Sequence, residues 1–180
     1  MKQFSRRGSM LIARLSEFEI SILTSLVQQV AGLLEGEAIV PAADPFERWQ
    51  AEMSNADLDF ADPVIARLFP EAVPDDQVAT AEFRRLTAGR QRQERLGQIG
   101  VVLNDLEGND EGSVEIAVAN LDAWFKTLTA VRLSLAVRLG VETAVDLNQL
   151  EALPQNDPRS FLYSVYEWLT GFLSVLLDLA

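Results

Sequence analysis

The sequence predicts an all-α protein, folded as a single helical domain of about six or seven helices over residues 1–180. Apolar side chains recur every three or four positions along several segments, which is the period of a helix with one buried face. Asp directly precedes Pro at three positions, a pair typical of helix starts. Hydrophobic residues make up 48% of the 180 residues, which is enough apolar material for one core.

The first long helix is predicted over residues 17–34. Ser16 and Glu19 have the spacing of a capping box, in which each side chain bonds to the backbone N–H of the other residue. Gly36 is expected to end this helix, because glycine readily adopts the left-handed conformation found there. Two short helices are expected where Asp can cap and Pro fits the first turn, at residues 44–45 and 62–63.

The segment 76–106 also has helical spacing, and Asp75 or Asp76 is expected to cap it. The apolar positions of its first half are Val78, Ala79, Phe83 and Leu86. Thr87 can cap a new helix, and Gly89 weakens a continuous one. The sequence therefore leaves open whether one long helix or two helices occupy this segment.

Two short segments, 11–15 and 113–117, each lead directly into a long helix. We predict that they pair as a small two-stranded β ladder; the alternative is that both are irregular. The second segment is followed by a predicted helix over 118–139, which Gly140 ends. The last helix is predicted over 158–178, after Asp157-Pro158.

The composition excludes several kinds of chemistry. The chain contains no Cys and no His, so it lacks thiols, disulfides and the commonest general base and transition-metal ligand. Its formal net charge of −12 repels nucleic acid and anionic membranes at long range. Phosphate-binding glycine loops, nucleophile elbows and calcium loops are also missing from the sequence. We therefore expect no cofactor, no bound metal and no catalytic activity.

The C-terminal segment 161–180 is apolar enough to raise the question of a membrane anchor. Glu167 lies near its middle and Asp178 near its end, and a carboxylate is costly inside lipid. A buried core helix is thus the preferred interpretation, and we expect a cytoplasmic protein without a membrane segment.

Arg132 falls on the apolar stripe of the predicted helix 118–139. An unpaired buried charge is destabilising by several kcal/mol, so this guanidinium should have an acidic partner. Glu82 and Glu167 also lie among apolar helical positions. We predict that Arg132 pairs with one of them in a buried or half-buried bridge that fixes helix register, in preference to a ligand site.

A basic cluster lies in the segment 84–95, and we call it the arginine cluster. Its members are Arg84, Arg85, Arg90, Arg92 and Arg95. A solvated surface that pairs with acidic loops is the preferred interpretation, and a DNA-binding helix pair is the alternative. Trp168 is expected in the core, with the alternative that it anchors a partner. The candidate interaction surface therefore consists of Arg84, Arg85, Arg92, Arg95 and Trp168.

Several motifs occur together in a fixed order along the chain. They are Ala81-Glu82-Phe83-Arg84-Arg85-Leu86-Thr87, Ala123-Trp124, Arg132-Leu133, Arg138-Leu139-Gly140 and Tyr166-Glu167-Trp168-Leu169-Thr170. In this combination the chain resembles the actinobacterial domain-of-unknown-function family DUF2017 over nearly its whole length. Ala117 and Thr129 depart from the family's usual Asp and polar amide.

The resemblance implies a helical cytoplasmic protein with no established activity. It also implies a link to Clp proteolysis, since genes of this family tend to lie beside one for an adaptor of that protease, and some members are labelled transcriptional regulators. From the residues and the resemblance together, we expect a non-catalytic protein-interaction or regulatory domain that forms homo-oligomers. The alternatives are a nucleic-acid-binding regulator that uses Arg84–Arg95 and an enzyme that uses carboxylates in a helical pocket.

Overall fold

The computed structural model describes residues 4–36, 58–73, 75–107 and 112–179. Within these ranges the chain is mostly helical, with six helices and one small antiparallel sheet, so the all-α prediction is confirmed. The strands are β1 Phe4–Arg7, β2 Met10–Arg14 and β3 Ser113–Ala117. The helices are α1 Glu17–Glu35, α2 Pro63–Leu68, α3 Gln77–Glu107, α4 Leu121–Leu139, α5 Ala144–Glu151 and α6 Pro158–Leu179. The helix expected after Asp44 lies outside the described residues.

Two helix starts form as their sequences predict. The backbone N–H of Glu19 donates to Ser16 Oγ at 3.3 Å, and the N–H of Ser16 donates to Glu19 Oε2 at 2.9 Å. Before α2, Asp62 Oδ1 accepts the N–H groups of Val64 and Ile65 at 2.7 and 3.2 Å. Both caps satisfy donors that a helix leaves without an internal partner.

The predicted β ladder is confirmed as the pairing of β2 with β3. Leu11 lies opposite Ile116 and Ala13 opposite Val114, and these four side chains form the buried face of the sheet. A third strand, β1, pairs with the other edge of β2 and was not predicted. A tight turn joins β1 to β2, and Gly8 has the φ of 62° that this turn requires.

Helix α3 runs without a break through Thr87 and Gly89, which settles the question that the sequence left open. The Thr87 hydroxyl donates to the Phe83 carbonyl at 2.8 Å, so its hydrogen bond lies within the helix instead of capping a new one. At the start of α3, the N–H groups of Val78 and Ala79 donate to Asp76, the second of the two expected caps.

The prediction of which residues are buried in the first half of α3 is wrong. Val78, Phe83 and Leu86 are exposed, whereas Thr80 and Ala88 are buried. The residues that face the protein are spaced four apart along a narrower stripe, because this part of the helix packs along one side only. The Thr80 hydroxyl is accommodated there by donating to the Val73 carbonyl at 2.8 Å.

Helix α4 is the centre of the fold and packs against α1, α2, α3 and α6. Trp124, Leu128 and Leu135 are completely or almost completely removed from solvent. The apolar three-and-four spacing of this segment predicts Phe125 on the buried stripe, together with Leu121, Leu128, Leu135 and Leu139, but Phe125 is exposed and Trp124 takes its place. One residue is a rotation of about 100° around a helix, so an assignment that is off by one position changes the face.

Helix α5 was not predicted, because it is short and Leu150 is its one buried residue. Among the described helices, α6 is the one long and apolar enough to cross a membrane by length and composition, which is weak support for a span. In this fold α6 packs along α4 and buries Leu169, Phe172 and Leu176.

Candidate functional site

Much of the arginine cluster faces the protein interior. Arg84 Nη2 donates to the Phe69 carbonyl at 3.2 Å, and its guanidinium carbon lies 4.6 Å from the centre of the Phe60 ring. Arg95 Nη2 donates to the Leu68 carbonyl at 2.9 Å and lies 5.2 Å from the centre of the Phe69 ring. These bonds satisfy carbonyl groups at the end of α2 and hold this short segment against α3.

The other members of the cluster divide between the interior and the surface. Arg92 is buried. Arg85 and Arg90 are exposed and form ion pairs along α3 with Glu82 and Glu94, at 2.7 and 2.9 Å. Hydrogen bonding to Arg85 lowers the pKa of Glu82, and burial lowers the pKa of Arg95. Of the four arginines placed on the candidate interaction surface, Arg85 alone is fully at the surface.

Arg132 is not brought together with Glu82 or Glu167. It is half-buried on α4, with its guanidinium carbon 5.7 Å from the centre of the Tyr166 ring. Glu82 is bonded to Arg85, and Glu167 is exposed on α6. The guanidinium therefore has an aromatic ring beside it in place of a carboxylate.

A polar contact that sequence reasoning missed lies at the start of α4. The indole N–H of Trp124 donates to Asp105 Oδ2 at 2.8 Å, and the Asn120 amide donates to the same carboxylate at 3.0 Å. A buried tryptophan usually has an acceptor for its N–H, so Trp124 itself indicated that a polar partner should lie nearby. Asp105 therefore joins α3 to α4 inside the protein.

Aromatic rings continue from this contact towards the surface. Phe172 on α6 stacks on Trp124 with ring centres 6.2 Å apart. Phe4 of β1 and Trp168 of α6 meet the same phenyl ring at 5.0 and 5.9 Å, both edge-on. Trp168 is thus packed at one side against the core, and its other side reaches a surface depression.

This depression lies between α1 and α6, and we call it the α1–α6 groove. Its volume is about 130 Å³. Its lining residues are Phe18, Glu19, Ile22, Phe161, Ser164, Val165 and Trp168. Phe18 is 65% exposed and Phe161 is 55% exposed, one from each helix. Two large apolar side chains held in water beside a half-buried tryptophan form a surface that a partner could cover.

The groove exists because α1 and α6 both pack on α4 without packing extensively on each other. Phe161 begins the apolar segment 161–180, which the sequence assigns to a core helix, and Phe18 lies off the buried stripe of α1. An aromatic residue outside the stripe of a helix was the signal that could have identified this position.

Two other cavities are more polar than the groove. One of about 500 Å³ lies between α2 and the end of α4 and is lined partly by Arg67 and Glu142. Another of about 220 Å³ lies between α3 and α4, beside Arg95 and Lys126. Among the described residues, no three acidic side chains gather where they could hold a metal ion.

The fold and groove together define a helical domain with a small sheet and an exposed apolar groove. The chain belongs to the family described as Domain of unknown function (DUF2017), whose model matches residues 1–180. It is 28% identical over 165 residues to a Mycobacterium leprae protein named "Putative oxidative stress regulator AosR", covering 84% of this chain and 74% of the relative. Comparison with solved structures gives no match.

Proposed function

We propose that this protein is a non-catalytic regulatory domain that acts in the cytoplasm by binding another protein through the α1–α6 groove. The observation that carries the proposal is the pair Phe18 and Phe161, which stand exposed on either side of Trp168. Exposed aromatic side chains around a depression are typical of the residues that dominate protein interfaces.

The relative supports a regulatory role in general terms, because its name describes an oxidative stress regulator. The present chain has no Cys, so it has no thiol with which to sense an oxidant. Regulation by this chain would therefore depend on what it binds. A partner linked to Clp proteolysis, implied by the family resemblance, is the first protein to test.

Self-association is a further part of the proposal. Val78 and Leu86 on α3 are exposed and do not line the groove. They are the surface that we assign to contact between copies of the chain. Light scattering on the wild type and on Val78→Ser/Leu86→Ser would test it, with a dimer that becomes a monomer as the expected result.

The nucleic-acid alternative has less support than the sequence alone gave it. Arg84 and Arg95 are engaged with backbone carbonyls and aromatic rings of the chain itself. DNA binding needs several arginines free to reach phosphates, and the net charge of −12 opposes it. A gel shift with random duplex at low salt should give no complex.

The groove is tested by site-specific photo-crosslinking in an actinobacterial host. A photoreactive phenylalanine analogue replaces Phe161 in one strain and Val145 in a control strain. Val145 is 61% exposed on α5 and does not line the groove, so the two positions are matched in accessibility. A defined protein adduct from position 161 but not from position 145 is expected. Equal adducts, or none from either position, would contradict the proposal.

A further inference from the structure

We propose that the partner presents a cationic amphipathic helix, which inserts one bulky apolar side chain between Phe18 and Phe161 and surrounds it with Lys and Arg. This inference rests on the proposed function of the same groove, and it adds the chemistry of the partner. Size, shape and charge each contribute to it.

The volume of the groove sets how much of a partner can enter. Its roughly 130 Å³ is close to the cavity of about 150 Å³ that can accommodate a benzene molecule in another protein. One Leu or aromatic side chain therefore fits between Phe18 and Phe161, whereas the body of a helix does not. The partner's backbone must lie above the groove and project a single residue into it.

The shape of the groove favours a helix as the element that carries this side chain. α1 and α6 each present their exposed aromatic residue to the same opening, above a floor that includes Val165 and Trp168. A helix placed over the groove directs residues three and four positions apart towards it. The neighbours of the inserted residue would then contact the outer faces of Phe18 and Phe161.

The charge around the groove selects a cationic helix. α1 contains no Lys or Arg, and it carries Glu17, Glu19 and Glu35. Along α6 the one basic residue is Arg159, which forms an ion pair with Asp157 at 2.9 Å. The rest of α6 adds Glu167 and Asp178, both exposed. Glu19 itself lines the groove, and neither α1 nor α6 adds an unpaired basic side chain, so an incoming surface meets net negative charge.

The same charges argue against a second copy of the chain in this groove. Two copies related by a two-fold axis would bring equal acidic walls together, and like charges facing each other weaken association. Lys and Arg placed around the apolar residue of a partner would instead meet Glu19, which lines the groove, and Glu167, which neighbours Trp168 along α6.

The experiment measures the binding of fluorescent peptides to the full chain by anisotropy. The probe is a designed helix with one central Leu flanked by Lys. The two matched peptides carry Ala in place of that Leu, or Glu in place of each Lys. We expect the first peptide to bind, the Ala peptide to bind at least about tenfold more weakly, and the Glu peptide not to bind.

Protein variants separate groove binding from general attraction to an acidic protein. Phe161→Asp adds a negative charge and removes one wall of the groove, so it should abolish binding even though general attraction would increase. Val145→Asp adds the same charge on α5 and should leave binding unchanged. Glu167→Lys should weaken binding by about three- to tenfold, and Glu142→Lys, away from the groove, should have a smaller effect.

The outcomes distinguish this inference from the function it rests on. If the Lys and Glu peptides bind equally well and both depend on Phe161, the partner is not selected by charge, and the proposed function is retained. If binding survives Phe161→Asp, the groove is not the site for a cationic helix. If the wild type forms a dimer that Phe161→Asp dissolves, a second copy occupies the groove and the inference is overturned.

Discussion

Trp124 and Trp168 are two tryptophans that touch the same phenylalanine and have opposite surroundings. Trp124 is fully buried, and its N–H is bonded to Asp105. Trp168 lies at the edge of the core and lines the α1–α6 groove. Both meet Phe172, at 6.2 and 5.9 Å. The contrast teaches that one aromatic cluster can serve stability at one end and remain available for binding at the other.

The largest expected effect is the difference between alanine substitutions of these two residues. Trp124→Ala should lower the free energy of unfolding by about 3–5 kcal/mol, because it leaves a cavity where a fully buried side chain was. Trp168→Ala should cost clearly less, since part of that ring is already in contact with water. Urea denaturation of both variants measures the difference, and equal losses would remove the distinction between the two sites.

A second prediction concerns Asp105, which accepts the indole N–H of Trp124. Asp105→Ala leaves the buried indole N–H of Trp124 without its acceptor and should cost about 1–3 kcal/mol. Asp105→Asn keeps an oxygen at that position and should cost less. Asp122→Ala, which removes an exposed partner of Lys126, is the control and should change stability by at most about 1 kcal/mol. A loss no larger than this control would show that Asp105 is not a structural acceptor.

A third prediction compares a partly buried member of the arginine cluster, Arg95, with an exposed one, Arg90. Arg95→Leu removes the bond to the Leu68 carbonyl and the contact with Phe69, and it should cost about 1–2 kcal/mol. Arg90→Leu breaks an exposed pair with Glu94 and should cost about 0–1 kcal/mol. Chemical denaturation of the two variants checks the order, and the reverse order would restore the cluster as a free surface.

The smallest effect is expected at the solvent-exposed start of α5. Backbone N–H groups of Thr143 and Glu142 donate to Asp146 and lower its pKa from the usual value of 3.8. A carboxyl group whose pKa is lower in the folded state stabilises that state at pH values above its unfolded pKa. This contribution is lost as the pH falls through the folded pKa. Asp146→Asn should therefore flatten slightly the loss of stability between about pH 6 and about pH 2. An unchanged pH profile would contradict the prediction.

Local signals in the sequence were enough to predict the long helices and several of the helix caps. Ser16, Asp62 and Asp76 act within three residues of themselves, so their roles depend little on the rest of the chain. The pairing of 11–15 with 113–117 could also be predicted, because two matching strand-like segments precede two long helices. β1 was missed because its four residues are mostly exposed and lack an apolar pattern.

The partners of the charged side chains could not be predicted in the same way. Arg132 was assigned a carboxylate, but the side chain that meets it is a tyrosine ring 34 positions further along the chain, at residue 166. Arg95 bonds to a backbone carbonyl, and every residue type offers that acceptor. The groove depends on how α1 and α6 diverge over α4, which is a property of packing between helices and leaves no local pattern.

The sheet has a consequence for how the chain folds during synthesis. The central strand, β2, pairs with β3, and residue 10 lies opposite residue 117. The β1–β2 hairpin therefore emerges from the ribosome long before β3 has been made. A two-stranded hairpin is only marginally stable alone, and closing so long a loop is slow. The hairpin is thus made well before the strand that completes its sheet, and its unpaired edge must meanwhile be kept from other chains.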